Sequence, residues 1–202
     1  MLRKEELASR FNAACEEVIA SEDELTEIDS KFGDADHGLT MVKIANAIKG
    51  AVEDSNGGIQ EMLDDVAMAV MVLNGGSAVP LWNTWLDGLQ EVAPEGDEVD
   101  TEQLKAMFAN ALSELADMSG AEVGDKTMMD AVIPASEAIE AYSGDEAGLF
   151  MVAAQAAQKG AENSKNFVSK FGRAKSYGEK TIGTPDAGAV SMACFFRGLA
   201  QA

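Results

Sequence analysis

The sequence has very little cysteine and histidine. Its two cysteines, Cys15 and Cys194, lie far apart in apolar stretches and match no metal-binding spacing, so we expect both to be reduced core residues. The one histidine, His37, lies inside a loop rich in aspartate. A Ser-His-Asp triad would have to use it, and no Gly-x-Ser-x-Gly element is present.

Basic residues are also scarce. The 15 lysines and arginines are outnumbered by 35 aspartates and glutamates, which gives a net charge of −20. This balance argues against nonspecific binding to nucleic acid and to anionic membranes. An anionic ligand would therefore need local help from a metal ion, helix N-termini or a small basic island.

Long apolar runs and alternating strand patterns are absent. No segment is long enough to span a bilayer, and the first residues lead into an amphipathic pattern without a signal peptide. We therefore expect a cytoplasmic protein. Length and composition predict one domain over residues 1–202.

Apolar residues recur at helical spacing along most of the chain, which predicts an all-α fold of about eight helices. We expect residues 59–73 to form a well-buried helix and residues 164–188 to form a long loop. One predicted helix follows the turn at 33–38 and ends at the loop that starts at Asp54. The other predicted helices cover 4–21, 23–30, 59–73, 79–92, 101–118, 128–142, 147–163 and 189–200.

The common nucleotide-binding motifs are missing as well. Residues 124–127, Gly-Asp-Lys-Thr, and residues 178–181, Gly-Glu-Lys-Thr, are similar to the end of a P-loop. Neither has the Gly-x-x-x-x-Gly-Lys spacing, and no predicted strand precedes either one. No Gly-x-Gly-x-x-Gly element occurs. A P-loop is therefore excluded.

The sequence does contain a cluster of carboxylates. Asp29, Asp34 and Asp36 lie within eight positions, and the last two stand between Gly33 and Gly38, where the backbone can turn tightly. Mg²⁺ prefers oxygen ligands and often bridges to substrate phosphates, so the cluster favours a metal site. A solvated acidic loop is the alternative. An EF-hand fits poorly, because no run has its ligand spacing.

Four glycine-containing loops, at 33–38, 74–78, 120–127 and 183–188, each run directly into a predicted helix. Helix N-termini carry unpaired amides and a partial positive charge. In an alternating up-and-down bundle, loops of the same polarity share one end, so we expect an anion site where these four meet. The basic segment 165–180 predicts either a mobile lid or a solvated loop.

Together these motifs resemble those of the DhaL family, the ADP-binding L subunits of dihydroxyacetone kinase. The resemblance extends over nearly the whole chain and implies an eight-helix antiparallel barrel with the nucleotide and Mg²⁺ at one end. The segments that carry it are 28–29, 33–41, 75–77, 124–128, 176–183 and 186–189.

The resemblance implies that Asp29, Asp34 and Asp36 are catalytic residues, which hold two Mg²⁺ ions against the phosphates of ADP or ATP. It also implies that Met128 packs on adenine and that Arg173 approaches the nucleotide from the long loop. The complete implied nucleotide-binding set is His37, Gly38, Leu39, Thr40, Gly76, Ser77, Ala78, Met128, Arg173, Asp186, Ala187 and Gly188.

Two positions depart from the family pattern. Residues 75–80 read Gly-Gly-Ser-Ala-Val-Pro where Gly-Gly-Ala-Ser-Gly-Pro is common, so one hydroxyl near the phosphates has moved or been lost. Ala187 replaces a frequent proline, which leaves the loop before the last helix less rigid.

The resemblance implies a phosphotransferase that is inactive alone, because the family holds its ketose on a histidine of a separate K subunit. The phosphoryl donor is either ATP or a phosphotransferase-system protein, and the sequence does not choose between them. The ketose is dihydroxyacetone or a four-carbon sugar. The oligomeric state also stays open, with a homodimer as one possibility. The alternative function is a nucleotide-dependent regulatory protein that binds a transcription regulator. Trp82 and Trp85 are expected in the core, with a partner surface as the alternative.

Overall fold

The computed structural model describes all 202 residues and is almost entirely helical, which confirms the all-α prediction. Eight of its nine α-helices are long, and α2 has only nine residues. The helices are α1 (Lys4–Ala20), α2 (Glu22–Ser30), α3 (His37–Asp54), α4 (Ile59–Met71), α5 (Ala78–Gln90), α6 (Thr101–Ser119), α7 (Met129–Ala141), α8 (Glu146–Asn163) and α9 (Ala187–Gln201).

The eight long helices form a closed ring. α1 packs against α3, and each later helix packs against the next one along the chain until α9 returns to α1. The short α2 packs on α3 and α9 and is not a member of this ring. Helices that are joined by short loops run in opposite directions, so α3, α5, α7 and α9 begin at the same end.

Aromatic side chains fill the middle of the ring. Trp82 and Trp85 of α5 meet Phe195 of α9 edge to face, with ring centroids 5.2 and 5.7 Å apart. Phe108 and Phe196 extend the same buried cluster. Such pairs contribute about 0.5–1.5 kcal/mol beyond the burial of their area. Both tryptophans are therefore core residues.

Helix ends away from the glycine-containing loops show ordinary capping. Asp100 accepts a hydrogen bond from the Gln103 amide at 2.8 Å, and the Asp100 amide donates to the Gln103 side chain at 2.9 Å. Asp145 caps α8 in the same way, by accepting from Gly148 at 2.8 Å. These bonds satisfy amides that the first turn of a helix leaves unpaired.

A short pair of strands was not predicted. β1 (Leu2–Arg3) pairs antiparallel with β2 (Glu98–Val99), and Leu2 and Val99 are both buried. Two-residue strands are too short to show an alternating pattern in the sequence. The pair fastens the first residues to the connection before α6.

Two helical predictions need correction. The expectation of a well-buried α4 was wrong on one face, because Met68 and Met71 are each 52% exposed. Residues 164–188 are also more ordered than a loop, since they contain 3₁₀ turns at Ser164–Asn166 and Arg173–Thr181. No helix of the structure combines the length and the apolarity needed to cross a membrane.

The contact between α1 and α9 can be tested at one glycine. A Cβ at Gly198 would lie 2.3 Å from Ala14 Cα, so we expect Gly198→Ala to lower the free energy of unfolding by about 1–3 kcal/mol. The matched control is Gly50→Ala in α3, where a Cβ meets open space. It should raise that free energy by about 0.5–1 kcal/mol. Urea denaturation measures both, and a Gly198→Ala protein as stable as the parent would contradict the close packing.

Candidate functional site

The end of the ring at which α3, α5, α7 and α9 begin contains a cavity of about 610 Å³. Each of the four glycine-containing loops contributes residues to its wall, so the structure brings these loops together as expected. The 3₁₀ segment adds Arg173 to the wall, and the residues just before it add Phe171 and Gly172. The cavity is thus built by helix starts and by the basic segment.

The three predicted aspartates meet at one side of the cavity. Asp29 lies in the last turn of α2, and Asp34 and Asp36 lie in the turn that leads into α3. One carboxylate oxygen of each lies within 4.8 Å of the others. Asp29 Oδ2 accepts hydrogen bonds from the amides of Asp36 and His37, at 3.1 and 3.4 Å. Because three like charges repel one another at this distance, a cation would stabilise the cluster.

Two backbone positions in this turn shape the carboxylate cluster, Gly33 and Ala35. A Cβ at Gly33 would lie 2.0 Å from Asp29 Oδ1, so a larger residue would displace that side chain. Ala35 has a φ of 60°, a left-handed conformation that costs a residue with a Cβ about 1–2 kcal/mol. The turn accepts this strain and places Asp34 and Asp36 on either side of Ala35.

Arg173 supplies the one cation that pairs with the cluster. Its Nη2 lies 2.8 Å from Asp34 Oδ2, and the Arg173 side chain is 71% exposed. An exposed ion pair of this kind contributes about 0–1 kcal/mol. The contact therefore links the basic segment to the aspartates without fixing it there.

The single histidine is engaged with α9. His37 Nε2 and Ser191 Oγ are 3.2 Å apart, and the Ser191 hydroxyl also donates to the Gly188 carbonyl. Burial lowers the pKa of the imidazole, although the nearby carboxylates of Asp29 and Asp36 act in the opposite direction. A neutral histidine that lines the cavity is the result.

The first turn of α3 contributes only part of its predicted set. His37 and Thr40 line the cavity, but Gly38 and Leu39 do not. Gly38 is buried against α2, where a Cβ would meet Thr26 Oγ1 at 2.2 Å. Leu39 is 51% exposed. Helical geometry explains this division, because successive residues point about 100° apart.

The start of α5 offers free backbone donors. Gly76, Ser77 and Ala78 all line the cavity, and Ser77 does not cap the helix with its hydroxyl. The amides of Gly76 and Ser77 make no hydrogen bond within the protein. Unpaired amides at a helix N-terminus are suited to an anion.

Part of the cavity wall is apolar. Met128 lies just before α7 and is buried together with Trp82 and Met129. A Cβ at Gly188 would lie 3.4 Å from the Met128 Cβ, which places the start of α9 next to Met128. The cavity therefore combines a polar side with an apolar one.

Asp186 caps the start of α9. Its Oδ2 accepts a hydrogen bond from the Ala189 amide at 2.8 Å. Burial raises the pKa of its carboxyl to about 7, against the lowering effect of that amide. Ala187 and Gly188 follow it in the cavity wall. The predicted trio at 186–188 is thus placed together.

Sequence reasoning missed about half of the wall. Lys126 and Thr127 were visible in the Gly-Asp-Lys-Thr run but were given no role. The others are mostly apolar or small residues, which carry no pattern in the sequence that separates a cavity wall from a core. The lining residues that were not singled out include five within the predicted loops, Ala121, Lys126, Thr127, Thr184 and Pro185, and also Phe32, Leu81, Trp82, Met118, Ser119, Met129, Ser169, Phe171 and Gly172.

Residues 31–201 match the family model described as the DAK2 domain. The chain belongs to the DAK2 domain family. The matched range includes every predicted site residue except Asp29, which lies two positions before it.

Individual DAK2 relatives agree with this assignment. The chain is 33% identical over 201 residues to D-erythrulose kinase of Mycolicibacterium smegmatis, a match that covers 96% of this chain and 35% of that protein. It is 29% identical over 196 residues to the "PEP-dependent dihydroxyacetone kinase, ADP-binding subunit DhaL" of Escherichia coli, a match that covers 93% of this chain and 92% of that protein. These matches confirm the resemblance to DhaL subunits.

A solved structure shares the fold. The dihydroxyacetone kinase from C. freundii, in complex with AMP-PNP and Mg²⁺, aligns with a TM-score of 0.73 and 25% identity, over 96% of this chain and 33% of that one. The chain therefore spans about a third of that kinase and of the erythrulose kinase. It spans nearly the whole of the Escherichia coli subunit.

The raised pKa of Asp186 predicts a pH effect. The folded protein holds this proton up to a pH of about 7, whereas the ordinary carboxyl pKa is 3.8. The contribution of the Asp186 carboxyl to the free energy of unfolding is therefore full below pH 3.8 and is lost as the pH rises from 3.8 to about 7. Asparagine still caps a helix and does not ionise. Between pH 3.8 and about 7 the free energy of unfolding of Asp186→Asn should therefore rise by at least about 1 kcal/mol relative to that of the parent.

Urea denaturation in the presence of a chelator measures this difference. Above pH 7 the difference in unfolding free energy should stay constant. Asp145→Asn, which changes the exposed cap of α8, reports the effect of an ordinary cap substitution. A pH-independent difference between Asp186→Asn and the parent would show that the Asp186 carboxyl is solvated.

Proposed function

We propose that the chain is the nucleotide-binding subunit of a dihydroxyacetone-type kinase. It binds ADP or ATP with Mg²⁺ and transfers a phosphoryl group to a short-chain ketose held by a separate K subunit. The observation that carries the proposal is one cavity that combines three carboxylates, free helix amides and an apolar wall. Membership of the DAK2 family and the names of the relatives support it.

The aspartate cluster fits Mg²⁺ by its donor set. Asp29, Asp34 and Asp36 present only carboxylate oxygens, which are hard ligands, and these oxygens lie close enough to share an ion. Asp29 is already oriented by two backbone amides. We propose that the cluster holds Mg²⁺, and the resemblance to DhaL subunits implies two ions. When bound, they neutralise the phosphate charge that this acidic chain would otherwise repel.

The phosphates are assigned to the start of α5. The free amides of Gly76 and Ser77 and the Ser77 hydroxyl face the same cavity as the aspartates. Arg173 pairs with Asp34 in the cluster and adds an exposed positive charge. Phosphoryl transfer depends mainly on such positioning and charge stabilisation.

The adenine is assigned to the apolar wall. Met128 supplies a thioether, which packs well against aromatic rings, and Gly188 lies beside it in the cavity wall. Leu81 and Trp82 continue this wall toward the interior. Asp186 and Ala187 close the cavity on the side of α9.

The acceptor must come from another subunit. His37 is the only histidine, and it is held against Ser191 in the cavity wall. No second histidine is available to carry a ketose covalently, so we expect the isolated chain to be inactive. The K subunit would bring the hydroxyl that attacks the terminal phosphate.

The surface beside the cavity is suited to that partner. Phe171, Tyr177 and Ile182 lie on the segment that covers the cavity and are 39%, 45% and 51% exposed. Exposed apolar side chains on one segment are candidates for a binding surface. We propose that the K subunit docks there, in the cytoplasm, and that a phosphotransferase-system protein uses the same face if ADP is rephosphorylated in place.

Native mass spectrometry distinguishes the two donor routes. ADP that copurifies with the chain and survives dilution would support rephosphorylation in place by a phosphotransferase-system protein. Reversible binding of ATP to a protein that is purified empty would support exchange. Absence of nucleotide binding with Mg²⁺ present would reject the proposed function.

The metal role predicts the effect of one substitution. Asp34→Asn removes one carboxylate charge with little change in shape. Phosphoryl transfer, measured with a K subunit and dihydroxyacetone, should fall by at least about a hundredfold, because metal ions supply several kcal/mol of charge stabilisation. Asp54→Asn, at the exposed end of α3, is the matched control and should stay within about twofold.

The same assay tests the regulatory alternative. A parent protein that binds Mg·ADP but shows no turnover with any K subunit and ketose would favour a nucleotide-dependent regulator. An Asp34→Asn protein as active as the Asp54→Asn control would remove the aspartates from the mechanism.

A further inference from the structure

Lys126 is a buried lysine that the proposed chemistry does not use. It stands in the Gly-Asp-Lys-Thr run before α7, and the residue is only 4% exposed. Its backbone has a φ of 61°, an unfavourable conformation for a residue with a Cβ. The strain is maintained by Asp130, whose buried carboxylate accepts hydrogen bonds from the amides of Gly124 and Thr127, at 2.6 and 2.8 Å.

The ammonium group of Lys126 donates to three main-chain carbonyls. Ser164 O lies 2.8 Å from Nζ, Phe167 O lies 3.1 Å away, and Thr184 O completes the set. Ser164 and Phe167 stand at the beginning of the segment between α8 and α9, and Thr184 stands at its end. The Lys126 side chain therefore joins the two ends of the segment that connects α8 to α9.

Two further hydrogen bonds join the same two ends of this segment, which form its base. The Gly183 amide donates to the Lys165 carbonyl at 2.7 Å, and the Asp186 amide donates to Ser164 Oγ at 2.8 Å. We call residues 164–186 the covering segment. Its base is fastened by these bonds and by Lys126, and its tip carries Arg173 to the aspartate cluster.

The geometry separates Lys126 from the phosphate-binding lysine of a P-loop. An ammonium group has three donors, and all three are used by carbonyls. Its charge interacts with Asp186 and Asp130 without a direct ion pair. A phosphate could gain a hydrogen bond from Lys126 only if the base of the covering segment opened.

We propose that Lys126 is a positioning residue that holds the covering segment and the start of α9 in register with the nucleotide. This proposal takes its ligand, the nucleotide, from the proposed function. The geometry of the Lys126 contacts does not depend on that function. The base is buried, whereas the tip contact between Arg173 and Asp34 is exposed. Lys126 thus holds the base of the segment, Lys170 bonds to Asp125 through its amide and its ammonium group, and Arg173 lies beyond that point.

The test replaces Lys126 by methionine, which keeps the length of the side chain and removes its three donors. Hydrogen exchange followed by NMR reports the base through the amides of Gly183 and Asp186. In folded Lys126→Met these amides should exchange at least about tenfold faster, as expected when a buried hydrogen-bond network is lost. If the covering segment is then seated in about a tenth of the molecules, affinity for Mg·ADP falls about tenfold.

Two variants serve as controls. Lys175→Met removes an exposed lysine from the same segment and should leave both exchange and affinity within about twofold. Arg173→Ala should weaken Mg·ADP binding while the Gly183 and Asp186 amides stay protected. If Lys126→Met does not fold, Lys126→Arg replaces it. A planar guanidinium does not donate from one nitrogen to three carbonyls, so the same amides should still lose protection.

The outcomes are distinct from those of the proposed function. If the parent fails to bind Mg·ADP, the function is wrong, and the exchange rates still decide the role of Lys126. Parent-like protection of Gly183 and Asp186 in either folded Lys126 variant would overturn the proposal. Lost protection with unchanged Mg·ADP affinity would also overturn it, because the anchor would then be structural alone.

Discussion

The closed ring of alternating helices is the constraint on which the site depends. Because successive helices of the ring alternate in direction and α9 returns to α1, α3, α5, α7 and α9 begin at the same end, and four sets of terminal amides meet there. No single loop could assemble this environment. The aspartates before α3, the free amides before α5 and the apolar wall before α7 are each ordinary features alone. Their shared end makes them a site.

Electrostatics explains why the site needs so many contributors. A chain with a net charge of −20 repels anions at long range, so attraction must come from groups within a few ångströms. Helix amides and the exposed Arg173 supply part of it, and a metal ion on the aspartates would supply the rest. The three carboxylates lie close together at a cost of mutual repulsion. That cost is typical of residues retained for binding and not for stability.

The fold was largely predictable from sequence because helical periodicity is a local signal. The predicted boundaries at Lys4, Ser30, Thr101 and Asn163 agree with the structure within a residue or so. Short strands and the outward face of α4 were missed, because each depends on tertiary neighbours. The aspartates were visible as a spacing pattern. Lys126 was visible only as a motif fragment, since its role comes from carbonyls more than 35 positions away in sequence.

Lys126 holds the covering segment through main-chain acceptors, which every residue type provides. Ser164, Phe167 and Thr184 contribute carbonyl oxygens to Lys126, and their side chains are not part of that contact. Residues between the two ends can therefore change in identity and number without disturbing the anchor. Evolution could vary the outer surface of this segment to suit different partner subunits, and a segment grafted from a relative should seat on the same lysine.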